Sequence, residues 1–148
     1  MESTAPIHPK SAQQIFDATA DHLFRQNERS EDAYTCRFRL SNGNCCAVGL
    51  WIPPERYLPR WEGFGGIQLL RYNRAFCAAL EASGVYLTDP AIFALMDALR
   101  EVHDRAYPPF RWFPRSRCHH RLDYLNLALA STANTLGLRF ISRQNLPA

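Results

Sequence analysis

Side chains able to do chemistry are few in this chain and unevenly placed. Thiols stand at Cys36, Cys45, Cys46, Cys77 and Cys118, and imidazoles within reach of a site reading at His103, His119 and His120. A zinc site folds two ligands onto one ion from a short loop, so it shows as pairs spaced Cys-x2–4-Cys or His-x3–5-His. That spacing does not occur here. The cysteines are five in number and irregularly spaced, which fits reduced thiols better than a disulfide framework. No metal and no cofactor is expected. A cysteine nucleophile is the next chemistry to weigh: Cys46, His103 and Asp104 supply a thiol, a base and an acid. Consecutive helical residues point about 100° apart, so Asp104 would not orient His103 directly. The thiol would also need a cation or a helix amino terminus to lower its pKa, and Arg39, across a hairpin, is the cation on offer. The competing reading has Cys36, Cys45 and Cys46 packing as small apolar groups.

The stretch from Arg105 to Leu122 is different in kind. It carries Arg105, Arg111, Arg115, Arg117 and Arg121 and no acid, interleaved with Tyr107, Phe110, Trp112 and Phe113. Planar guanidinium groups beside aromatic rings suit carboxylates, phosphates and stacked bases. A loop whose rings plug the core while its arginines stay solvated has the same composition. As the most uneven charge in the chain, Arg105, Arg111, Trp112, Arg115, Arg117 and Arg121 are the expected partner-binding residues. Walker loops, dinucleotide glycine motifs and paired carboxylates are missing, and Phe64-Gly65-Gly66 has no strand-to-helix context.

These residues must be held by a chain of 148 residues, 47% hydrophobic and 21% charged, the make-up of one globular domain. The expected organisation is a flexible lead over 1–10 and a single domain over 11–148. No apolar run approaches the ~20 residues of a membrane helix, and the first residues lack a secretory pattern. Net charge is +3, too mild to mark a nucleic-acid protein on its own. All 17 basic residues except Lys10 are arginine, a bias that GC-rich coding also produces.

Periodicity places the elements. Ser11 caps a helix to about Gln26 that buries Ile15, Phe16, Thr19 and Leu23. Tyr34–Leu40 alternates like a half-buried strand, Asn42-Gly43 centres a turn, and Cys45–Ile52 is a second, deeper strand with Leu40 opposite Cys45. The Pro/Gly-rich 53–66 is an ordered loop anchored by Tyr57 and Trp61. Ile67–Ala82 reads as one helix ended by Ser83-Gly84, Thr88-Asp89-Pro90 opens another to about Ala106, and His120–Leu136 is the last, stopped by Gly137. Leu138–Ile141 is a short third strand. The expected fold class is α+β: about four helices packed on a small antiparallel hairpin or three-stranded sheet.

Cys36-Arg37, the Asn42-Gly43 turn, Cys46-Ala47-Val48-Gly49-Leu50-Trp51-Ile52-Pro53, Tyr57, Glu62-Gly63 and the later Leu99-x-x-x-His103-Asp104 form a pattern. It resembles a family of small, largely uncharacterised bacteriophage, prophage and bacterial proteins. Two features depart from that family: Cys45 doubles the motif cysteine, and Trp112–Cys118 is longer and more basic. The resemblance implies a compact domain without an assigned reaction, in a mobile-element context where small proteins block host defence complexes by binding them. The resulting expectation is a non-catalytic, anti-CRISPR-like inhibitor in the bacterial cytoplasm, with a protein or ribonucleoprotein partner and no membrane. A Cys46/His103 hydrolase and a nucleic-acid regulator acting through 105–121 are the alternatives.

Overall fold

Ser11 opens the first helix through a reciprocal cap. Its hydroxyl accepts from Gln14 N at 3.1 Å, and Gln14 Oε1 accepts from Ser11 N at 2.9 Å. Two amides that the first turn cannot satisfy are thereby paired. The computed structural model describes residues 7–26, 38–39, 43–62, 67–106 and 118–144, with backbone alone at 103–106 and 118–121. Helix α1 (Ala12–Gln26) buries Ile15, Phe16, Thr19, Ala20, Leu23 and Phe24. Four further helices follow: α2 (Ile67–Leu70), α3 (Arg74–Glu81), α4 (Pro90–Ala106) and α5 (Cys118–Leu136). Helix α4 starts where Asp89 Oδ1 accepts from Ala91 N at 2.9 Å, and α5 stops at Gly137 with φ +69°. Helix α4 packs chiefly on α5 and also on α1, joining Leu95, Met96 and Leu99 to Leu125 and Leu129 in one core.

The single helix expected over Ile67–Ala82 is broken into α2 and α3. Asn73 sits between them in extended geometry (φ −84°, ψ 118°), and its side chain accepts from Phe76 N at 3.0 Å. Asparagine competes poorly for a helix interior but well for a cap, so the chain turns a corner there.

The expected α+β class is also wrong. Among the described residues there is no β-strand, only an isolated antiparallel bridge between Arg39 and Cys45. The bridge is one residue away from the anticipated Leu40–Cys45 pairing. Cys45–Ile52 does not run on as a strand; it turns at Ala47-Val48 into a 3₁₀ turn, Gly49–Trp51. A Cβ on Gly49 would stand 1.8 Å from Phe38 O, so this segment lies directly on the backbone of Phe38. A continuous apolar run signals burial, and burial alone does not distinguish strand from coil. The third strand expected at Leu138–Ile141 is likewise irregular.

Side-chain amides take over the work of a sheet. Gln26 pairs with both backbone groups of Cys45, at 2.9 Å each. Gln13 does the same for Arg139 (2.9 and 3.0 Å), and Asn126 for Arg143 (both 2.7 Å). One planar amide reaching the N–H and C=O of one residue mimics a strand neighbour, and it leaves neither group orphaned. The carboxyl-terminal strap 138–144 is thus laced to α1 and α5, with Phe140 edge-on to Phe16 at 5.8 Å. At the other end of the chain, Lys10 N donates to Gly84 O at 2.8 Å and its Nζ to Ser83 O at 2.6 Å.

Candidate interaction surface

The segment that carries the family-like pattern is built around one carboxylate. Glu62 Oε1 accepts from Phe38 N at 2.9 Å, while Oε2 accepts from Tyr57 O–H at 2.5 Å and from Arg39 N at 3.4 Å. Arg39 in turn donates from Nη2 to Ile52 O at 3.1 Å. The 3₁₀ turns Pro54–Arg56 and Pro59–Trp61 bring Tyr57 and Glu62 to the same place, and Trp61 anchors them beneath. Trp61 is 1% exposed, with Phe76 edge-on at 5.3 Å and Phe38 beyond it. Trp51 is core as well, its Nε1 donating to the buried Thr19 hydroxyl at 3.0 Å. Trp51, Tyr57 and Glu62 are committed here to the chain's own backbone and side chains.

The two described thiols of this segment, Cys45 and Cys46, follow suit. Cys46 is 1% exposed and its sulfur accepts from Gly49 N at 3.3 Å. Cys45 donates its thiol to Gly43 O at 3.4 Å. Burial pushes the Cys45 thiol above its ordinary pKa, outweighing the Arg39 guanidinium that pulls it down. A raised pKa keeps the thiol protonated, the opposite of what a nucleophile needs. His22 Nε2 lies 3.1 Å from Cys45 O; since a carbonyl only accepts, that nitrogen carries the proton. The bridge puts Arg39 opposite Cys45 rather than Cys46, which the expected register had paired with it.

The remaining expected site residues lie where less is described. His103, Asp104 and Arg105 fall in the final turns of α4, and Arg121 in the first turns of α5, with backbone positions only. Cys36, Arg111, Trp112, Arg115 and Arg117 lie outside the described residues. No group of three His, Cys, Asp or Glu side chains suited to a metal occurs among the described residues. No described helix is long and apolar enough to cross a membrane.

A groove of about 540 Å³ runs between α1 and the strap, lined by Gln13, Asp17, Asp21, Arg139, Phe140 and Arg143. Most of its polar groups already serve the fold. Gln13 holds Asp17 and Arg139, and Arg143 pairs with Asp21 while lying 4.4 Å over the Phe24 ring.

The surface that sequence reading missed is the corner between α2 and α3. Leu69 is 65% exposed and Tyr72 77%, neighbours one turn apart joined by the Tyr72 N to Leu69 O bond. Arg71 lies near two rings, 5.0 Å from the centre of Tyr72 and 4.5 Å from that of Phe93 on α4. Arg74, one turn on, is exposed too. The available signal was Asn73: a cap inside an apparent helix forces a corner, and a corner turns its neighbours outward. No family model, no curated protein and no solved structure matches the chain, so this geometry stands without a relative to interpret it.

Proposed function

We propose that this chain is a non-catalytic, macromolecule-binding protein: a phage-type inhibitor of a bacterial defence complex, of the anti-CRISPR kind, working in the host cytoplasm. One observation supports this above the others. The residues of the family-like pattern most suited to chemistry, Cys46, Tyr57 and Glu62, are engaged with the chain's own backbone and side chains. A protein whose distinctive polar residues build the scaffold acts through what the scaffold displays. The arginine-aromatic segment 105–121 is the principal docking element of this reading, with Arg105, Arg111, Trp112, Arg115, Arg117 and Arg121 as its contact residues.

The test is inhibition of target cleavage by a panel of purified RNA-guided surveillance complexes. The wild-type chain blocks a susceptible complex, and Arg115→Glu with Arg117→Glu abolishes the block while the melting temperature holds. Unchanged inhibition by the double variant would remove the segment from the interface. A hydrolytic activity that Cys46→Ser destroys in a folded protein would replace the docking reading with an enzymatic one. Tight binding to free nucleic acid, weakening steeply with salt as phosphate contacts release counterions, would replace it with a nucleic-acid regulator.

A further inference from the structure

We infer that the α2–α3 corner, formed by Leu69, Arg71, Tyr72 and Arg74 with Phe93 behind them, is a second docking surface whose occupant is an acidic, partly apolar protein segment. The inference rests on the reading that this protein acts by docking, and it adds a surface outside 105–121. Three features carry it. Leu69 and Tyr72 expose 65% and 77% of their surface side by side, and neither is needed for the core. The exposed Arg71 guanidinium lies within cation–π range of two rings, 5.0 Å from the centre of Tyr72 and 4.5 Å from that of Phe93. Neither Arg71 nor Arg74 has a carboxylate within ion-pairing distance among the described residues.

A guanidinium engaged with two rings gives up part of its rotamer freedom before a partner arrives, so binding costs less of it. A guanidinium carries paired donors in the geometry of a carboxylate, which accepts them bidentately. Tyrosine, arginine and an adjacent aliphatic side chain are the makings of an interface anchor: rings and methyls exclude water, and the ion pair beside them gains from its absence. Positive charge that no acid among the described residues pairs with favours a negative partner. Leu69 separates a protein segment from the other anionic surfaces. An aliphatic group gains nothing from phosphates or base edges, whereas it fits against leucine or phenylalanine. A single leucine–tyrosine pair on a helix of one turn is also too little apolar surface to enter a bilayer.

The test uses the isotopically labelled full chain, titrated with a synthetic peptide of glutamates interspersed with leucine and phenylalanine, and observed by amide chemical shifts. Saturable changes are expected at Leu69, Tyr72, Arg74 and Phe93. Arg71→Ala and Tyr72→Ala should each weaken binding by about tenfold or more, with the melting curve unmoved. A counterpart peptide with glutamine for glutamate should bind similarly weakly. The inference is overturned if the acidic peptide produces no saturable change at this corner, or if the glutamine peptide binds equally well. It is overturned too if a single-stranded oligonucleotide or anionic phospholipid vesicles occupy the corner in preference to the peptide. Inhibition by the Arg115→Glu/Arg117→Glu variant reports on the primary docking reading separately, so each can fail without the other.

Discussion

Two corners of this molecule hold the same residue types and use them in opposite ways. In the first, residues 38–62, an arginine, a tyrosine and cysteines point inward: Arg39 to Ile52 O, Tyr57 to Glu62, Cys46 to Gly49 N. In the second, residues 67–77, Arg71 and Tyr72 stand in solvent and stack on each other. The difference arises from what each segment lacks. The described residues 38–39 and 43–62 have little regular structure, so many backbone groups need side-chain partners, and an unpaired buried amide costs about 1–3 kcal/mol. The 67–77 corner satisfies its backbone within two short helices and an Asn73 cap, which leaves its long side chains free. A polar residue is available for function where the backbone around it is already satisfied.

Breaking the inward corner should be costly. Gly49→Ala puts a methyl 1.8 Å from Phe38 O, a backbone atom that cannot swing aside. A loss of about 3 kcal/mol is expected, read as a lowered urea midpoint. Glu62→Ala removes the acceptor of Phe38 N and the acceptor of the Tyr57 hydroxyl hydrogen bond. About 2 kcal/mol should follow, and Tyr57→Phe made on top of it should add less than it does alone.

The third effect is pH-dependent and smaller. Burial raises the thiol pKa of Cys45, and of Cys77, where the nearby Glu81 carboxylate adds to it. Unfolded thiols ionise at about pH 8.5, so above that point the unfolded chain releases protons that the native state retains. Stability is therefore full below that pH and declines as pH climbs toward the raised native values. Cys45→Ala should flatten the decline in urea midpoint over alkaline pH. Smallest of all is the outward corner: Tyr72→Ala should shift stability by no more than about 0.5 kcal/mol, measured by thermal melting. A larger loss would mean that this corner belongs to the scaffold after all.

The helices were legible for local reasons. Ser11, Asp89 and Gly137 act within one turn of themselves, and α1, α4 and α5 begin and end close to where those residues place them. Asn73 was equally local, but its cap was masked by an apolar period continuous on either side. The second strand expected at Cys45–Ile52 is a 3₁₀ turn instead, because an apolar run after Asn42-Gly43 signals burial without dictating extension, while most of the first, Tyr34–Leu40, lies outside the described residues. As for the site, the burial of Cys46 agrees with its reading as packing material, whereas Leu69, Arg71 and Tyr72 left no motif to find.

Sequence by itself determined α1, α4 and α5 and the apolar faces they bury, since caps, stops and apolar period act through neighbours a few residues away. Tertiary structure alone decided that Gln13, Gln26 and Asn126 would stand in for a sheet. Each meets its backbone partner 17 to 126 residues away along the chain. It also decided that Gly49 would rest on Phe38 and that Arg71 would find Phe93. Such pairings depend on how the helices pack, and one planar amide or glycine in a sequence carries no record of the distant backbone it will meet.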